Sequence, residues 1–289
     1  MNKKLTIKRI IIFTVLSYVF TFVWDIIFLY LPESAGNYND LETASPFGSF
    51  AGFSMFGPAL AAFVTRFITK EGMENSMLKF NIKGNIKYYI LPIVTLTIVA
   101  LINSVSMPIV SGAGFYFGND YGMIAAYMLN VIISDVFLIG LYFGEEYGWR
   151  AYLFPKLEQV TGTWQAIILT GVIWGVWHTP VLLKGHNFGT DMPLFPISNI
   201  ILMCLICIFI APVFSYFVKK CGSVWPAAIA HAFFNNFTGQ LQGLFIDPDS
   251  VDGISKNAIS LNMFVGLAVV GIFFFVLLVR DSKKVSDTK

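Results

Sequence analysis

The chain predicts an all-α polytopic membrane protein, a single bundle of about eight transmembrane helices with both termini in the cytoplasm. Three observations carry that expectation. Of its 289 residues, 56% are hydrophobic and only 12% are charged, against roughly 25% charged in a soluble domain. The apolar residues gather into eight runs, each near the ~20 residues a helix needs to cross hydrocarbon. Lys and Arg collect beside alternate ends of those runs, which is the pattern that sets orientation.

The first run, 10–31, follows Lys3, Lys4, Lys8 and Arg9 and superficially resembles a signal peptide. It extends to about Leu31, contains Asp25 and lacks a small-residue cleavage site, so it reads as a retained first span. The second, 48–68, runs into Arg66 and Lys70, and the third, 88–110, follows Lys79, Lys83 and Lys87. The fourth, 122–150, ends on Arg150 with Lys156 just beyond. The fifth and sixth cover 164–184 and 195–218, the latter closed by Lys219 and Lys220. The seventh covers 223–245, and the eighth, 258–279, leads into Arg280, Lys283, Lys284 and Lys289. With the N-terminus inside, every Lys and Arg except Lys184 and Lys256 falls on the cytoplasmic side. The outer loops collect Glu33, Asp40, Glu42, Asp120, Asp191, Asp247, Asp249 and Asp252 instead. No repeat divides the chain, so residues 1–289 form one helical domain.

Several function classes drop out. The basic residues are scattered over short loops, which leaves no nucleic-acid footprint. Cys204 and Cys207 have CxxC spacing without a second pair, so they and Cys221 read as buried small hydrophobes. There is no HExxH, no GxGD and no P-loop.

What remains is polar chemistry at membrane depth, where ionisable groups are costly and mark function by default. Glu145-Glu146-Tyr147-Gly148-Trp149-Arg150 closes the fourth run. Glu146 and Arg150 are four apart with the carboxylate first, the favourable order for a helical ion pair. Glu145 is turned about 100° from its neighbour and left to face a cavity. Gly144 and Gly148 share the same spacing and let a neighbouring helix approach closely. His178 ends Trp174-Gly175-Val176-Trp177-His178, with Pro180 placed to disturb the backbone beside it. His231 and Asn235, again four apart, point into one space, while Asn236 reads as packing, Asp135 as a buried polar contact, and His186 carries no signal. Each histidine taken alone is as readily an interhelical packing residue. For Glu145 to share a layer with both histidines, the fourth helix must run on through Phe154 and stop before Pro155. Glu145 then stands about 14 Å above that end.

Together, Glu145-Glu146-x-x-x-Arg150, Trp174-x-x-x-His178 and His231-x-x-x-Asn235 resemble the EExxxR, FxxxH and HxxxN motifs of the CPBP family. These are the CAAX protease and bacteriocin-processing membrane enzymes, also called the Abi family. The resemblance covers residues 122–245, which would be the catalytic core, and Trp174 stands where the family usually has phenylalanine. It implies an intramembrane endopeptidase that acts on membrane-associated proteins or peptides, by CAAX-type or leader and bacteriocin processing. Glu145 would be the general base, His178 would position the water, and His231 and Asn235 would hold the oxyanion, with Glu146 and Arg150 in support. The pattern favours glutamate-activated water without a cofactor over a zinc ion held by Glu145, His178 and His231.

The expected setting is a multi-pass protein of the bacterial plasma membrane, with a water-filled cavity open to the cytoplasm and the lipid bilayer as its surroundings. The competing classes are a non-enzymatic bacteriocin immunity protein and an ion-coupled transporter. The sequence names neither the substrate nor the oligomeric state.

Overall fold

The computed structural model describes residues 2–30, 48–239 and 241–287. Glu33, Asp40, Glu42 and Lys289 lie outside those residues. The described chain is almost entirely helical, with one isolated antiparallel bridge between Phe115 and Ile246.

Helix α1 covers Lys3–Leu29 and is started by Asn2, whose side chain accepts from the Leu5 amide. Its two faces invert the pattern of a soluble helix. Thr6, Ser17, Thr21 and Asp25 are buried, while Ile11, Val15, Val19 and Val23 are about half exposed. A helix that turns aliphatic side chains outward and polar ones inward is solvated by lipid.

A 3-10 stretch, Gly48–Phe56, feeds α2, Gly57–Ile68, and the loop after it leads into α3, Lys87–Ser111. Asp120 then caps α4, Tyr121–Glu146, by accepting from the amides of Gly122 and Met123. The polypeptide does not stop before Pro155, as the residue pattern suggests. It widens into a π-helix over Tyr147–Leu153 and continues as α5, Phe154–Thr161, until Gly162 with φ +92° ends it. Proline in a first turn has no amide bond to lose, and the change of ladder just before it accommodates the ring.

The fifth expected span is also reshaped. Helix α6, Thr163–Trp177, breaks at His178, and a single turn, α7, Thr179–Leu182, carries Pro180. Helix α8, Ile197–Cys221, returns to the basic side. Helix α9, Trp225–Phe233, passes into a second π segment, Phe234–Thr238, well short of the expected end at 245. After a 3-10 turn at Pro248–Gly253, the last helix, α10, covers Lys256–Asp287. Six helical stretches of the described residues are long and apolar enough to cross a membrane. Thr163–Trp177 is apolar but shorter. The chain is thus an all-α, multi-pass membrane protein.

Four pairings organise the bundle: α1 with α2, α6 with α8, α3 with α10, and α4 with α9. Gly144 and Gly148 do what their spacing predicts. A Cβ at Gly144 would sit 2.6 Å from the Met55 carbonyl, and one at Gly148 would sit 2.8 Å from the Pro58 carbonyl carbon. Only hydrogen fits where α4 presses on the start of α2.

Candidate active site

The site begins with two adjacent carboxylates that the helix sends in different directions. Glu146 is wholly buried and sits between an arginine and a histidine. Its Oε2 lies 3.2 Å from Arg150 Nε, the expected ion pair, and its Oε1 accepts from His231 Nδ1 at 2.8 Å. Arg150 is also sealed from solvent. Its guanidinium carbon stands 4.1 Å from the centre of the Trp174 ring and 5.3 Å from that of Phe214. Cation–π contact of this kind is worth more when desolvated, and here it accompanies the single carboxylate.

Glu145 turns the other way, toward Trp174 and the cavity. Its Oε2 accepts from the Trp174 indole N–H at 2.7 Å. The same tryptophan also fixes His178, whose Nδ1 donates to the Trp174 carbonyl at 2.8 Å. A carbonyl can only accept, so Nδ1 carries the proton and Nε2 is the basic nitrogen of that ring. His231 meets the Trp174 ring edge-on at 5.4 Å between centroids. Trp174 therefore touches both acid and base groups from one turn of α6.

These side chains line one cavity of about 420 Å³, a size in the ordinary range for ligand sites. Glu145, His178, His231 and Asn235 all reach it, and Asn235 is exposed within it. The π segment that starts at Phe234 places Asn236 there too. That asparagine donates to Asp135 Oδ1 at 2.5 Å and to the Tyr142 hydroxyl at 3.0 Å, so it is a polar tie between α9 and α4 rather than mere packing. His186, silent in the sequence, lines the cavity as well, as do Asn103 and Gln242. Isolated polar residues on separate elements have no spacing to betray them.

A metal fits this arrangement poorly. Among the described residues, no three His, Cys, Asp or Glu side chains stand close enough together to hold an ion. Glu145 and His231 meet indole and carboxylate partners instead.

The cavity wall includes Gly52 and Ser54 ahead of α2, Asn187 after α7, Gly239 and Gln242 after α9, and Met263 near the start of α10. Those are the ends of the helices opposite the basic loops.

Residues 123–237 match the family model described as Type II CAAX prenyl endopeptidase Rce1-like. The matched stretch runs from α4 through the π segment after α9 and contains every residue of the three motifs. No curated protein matches the chain.

Proposed function

We propose, from the match of residues 123–237 to the family model described as Type II CAAX prenyl endopeptidase Rce1-like, that this chain hydrolyses peptide bonds of membrane-associated proteins or peptides, with water activated by Glu145. The observation that carries the reading is the tether between Glu145 and Trp174 inside a cavity shared with His178, His231 and Asn235. A carboxylate held by one oxygen keeps the other for a water molecule, and a positioned base of this kind contributes about 10²–10⁴-fold.

In the proposed sequence, Glu145 takes a proton from water and His178 Nε2 accepts a second hydrogen bond that aims it. Oxygen attacks the scissile carbonyl, and charge develops on the carbonyl oxygen. Asn235 donates its amide hydrogens there, beside His231, whose ring is fixed by Glu146 through Nδ1. Losing one such donor typically costs about 10²–10³ in kcat. The tetrahedral intermediate collapses as the proton on Glu145 passes to the leaving amine, which restores the carboxylate. Residues 122–245 form the catalytic core in this reading.

The test is Glu145→Gln in purified, detergent-solubilised protein, assayed for peptide cleavage. Glutamine keeps the acceptor for Trp174 but has no basic oxygen. Loss of turnover with an unchanged melting temperature is the expected result. Full activity would remove the general-base role.

A further inference from the structure

Depth and charge together say from which side the site is reached. The basic ends of the helices meet in one layer: Arg9, Arg66 and Lys156 surround Glu71 at 3.4, 3.8 and 2.6 Å. Lys219 pairs with Glu158 and Lys220 with Asp281 near the same helix ends. By the distribution of Lys and Arg, this layer is cytoplasmic. Between it and Glu145 the structure is solid. Trp149, Tyr152, Leu153, Phe13 and Phe214 are all fully buried, with Phe13 wedged 5.6 Å from Trp149 and 5.1 Å from Tyr152. The hydroxyl of Tyr152 reaches Glu71 at 3.0 Å, so the plug ends on the charged layer itself. On its other side, the cavity is walled by Gly52, Asn187, Gly239 and Met263, from elements that turn at the far face.

We propose that substrate reaches Glu145 from the side opposite the cytoplasm, as an uncharged stretch of an exported or membrane-anchored polypeptide. The proposal rests on the peptidase reading above and narrows its substrate class. The cavity wall supports the chemistry. Asn187 and Asn235 line it with carboxamides able to donate to and accept from a peptide backbone, while Asn103, Asn236 and Gln242 are held by Gly266, by Asp135 and Tyr142, and by Ile259. Among the described residues of the wall, Glu145 is the one carboxylate and there is no Lys or Arg. A free chain-terminal carboxylate would find no ammonium or guanidinium there, whereas the interior of a chain brings no such charge.

Access can be measured without knowing the substrate. Gly52 and Gly239 line the cavity, and a Cβ at either meets nothing within 4 Å, so cysteine can be placed there without disturbing the fold. Cys204, Cys207 and Cys221 are first replaced by alanine. Exposed Lys83, in the basic loop after α2, provides Lys83→Cys as the cytoplasmic reference. Full-length Gly52→Cys, Gly239→Cys and Lys83→Cys are treated in sealed membrane vesicles with a sulfonated, membrane-impermeant maleimide, before and after permeabilisation. A monodisperse profile in detergent qualifies each variant.

The expected result is opposite protection. In vesicles where Lys83→Cys reacts only after permeabilisation, the two cavity cysteines react beforehand, and the pattern reverses in vesicles of the other orientation. Reaction of the cavity cysteines from the Lys83 side, alone or in addition, overturns the proposal. Comparison of protein termini in cells with the intact protein and with Glu145→Gln then tests the substrate class. Cut sites lost in the variant should fall in extracytoplasmic segments, and a cluster at cytoplasmic C-termini overturns that class. If no terminus changes while the labelling holds, the peptidase reading fails and the direction of access stands.

Discussion

Trp174 holds Glu145 by a 2.7 Å hydrogen bond from its indole nitrogen, while its own backbone carbonyl takes the Nδ1 proton of His178. One residue thus sets the orientation of the carboxylate and the tautomer of the neighbouring imidazole. The CPBP motif that these residues resemble ordinarily has phenylalanine here, which has a ring for Arg150 but no N–H for a carboxylate.

Trp174→Phe separates those two contributions. The aromatic face over Arg150 remains, and the backbone contact to His178 is untouched. A hydrogen bond to a charged group is worth about 1.5–3 kcal/mol, so kcat/KM should fall by about ten- to a hundredfold. Steady-state kinetics on a cleavable peptide checks this, with the loss expected in kcat because the bond orients the base rather than the peptide. Unchanged kcat would show the indole N–H to be idle.

Glu146→Gln tests a different dependence. Glu146 is the carboxylate between Arg150 and His231, and all three are buried. Removing its charge takes away the ion-pair partner of a buried guanidinium, and breaking such a buried pair typically costs about 3–5 kcal/mol. Thermal unfolding in detergent should show a large drop in Tm, whereas Glu145→Gln leaves Tm near that of the unaltered protein. Equal Tm values for the two variants would contradict this division between supporting and reacting carboxylates.

Close packing at the motif gives a third expectation. A Cβ at Gly148 would overlap the Pro58 side chain and lie 2.9 Å from its carbonyl oxygen. Gly148→Ala must push α2 away from the π segment, and overpacking of this kind costs about 1–3 kcal/mol. Gly239→Ala, with nothing within 4 Å, is the matched control and should not change Tm.

Much of this architecture was legible in the residues, because a bilayer leaves few choices. Long apolar runs must be helices, and the position of Lys and Arg sets their direction. The Glu146–Arg150 pair followed from a spacing of four, and the glycine contacts from the same rule. The π segments did not, since a widened ladder depends on how Pro155 and the surrounding helices are accommodated rather than on any periodicity. Nor did the partner of His231. It is Glu146, 85 positions away in the chain, and no local pattern links two such residues. Trp174 was visible only as an aromatic in place of another. Its importance lies in the indole nitrogen, and that emerges only once α4 and α6 are seen side by side.

The layer of basic helix ends gives a pH dependence whose sign can be worked out. Burial pushes the Glu71 carboxyl up, but Lys156, Arg66 and the Tyr152 hydroxyl outweigh it and hold the group below the ordinary carboxylate value. A folded-state value lowered in this way means the stabilisation is complete above the usual carboxylate range. It is lost as the pH falls through the depressed value. Arg9, Arg66 and Lys156 come from three parts of the chain, so this cluster ties α1 and α2 to α5. Glu71→Gln should therefore lower stability at neutral pH by about 1–3 kcal/mol, a range that allows for partial exposure. The deficit should shrink as acid protonates the glutamate of the unaltered protein. Melting temperatures of both proteins from pH 7 down into the carboxylate range provide the measurement. A deficit that stays constant throughout would mean that packing, and not the charge of Glu71, holds these ends together.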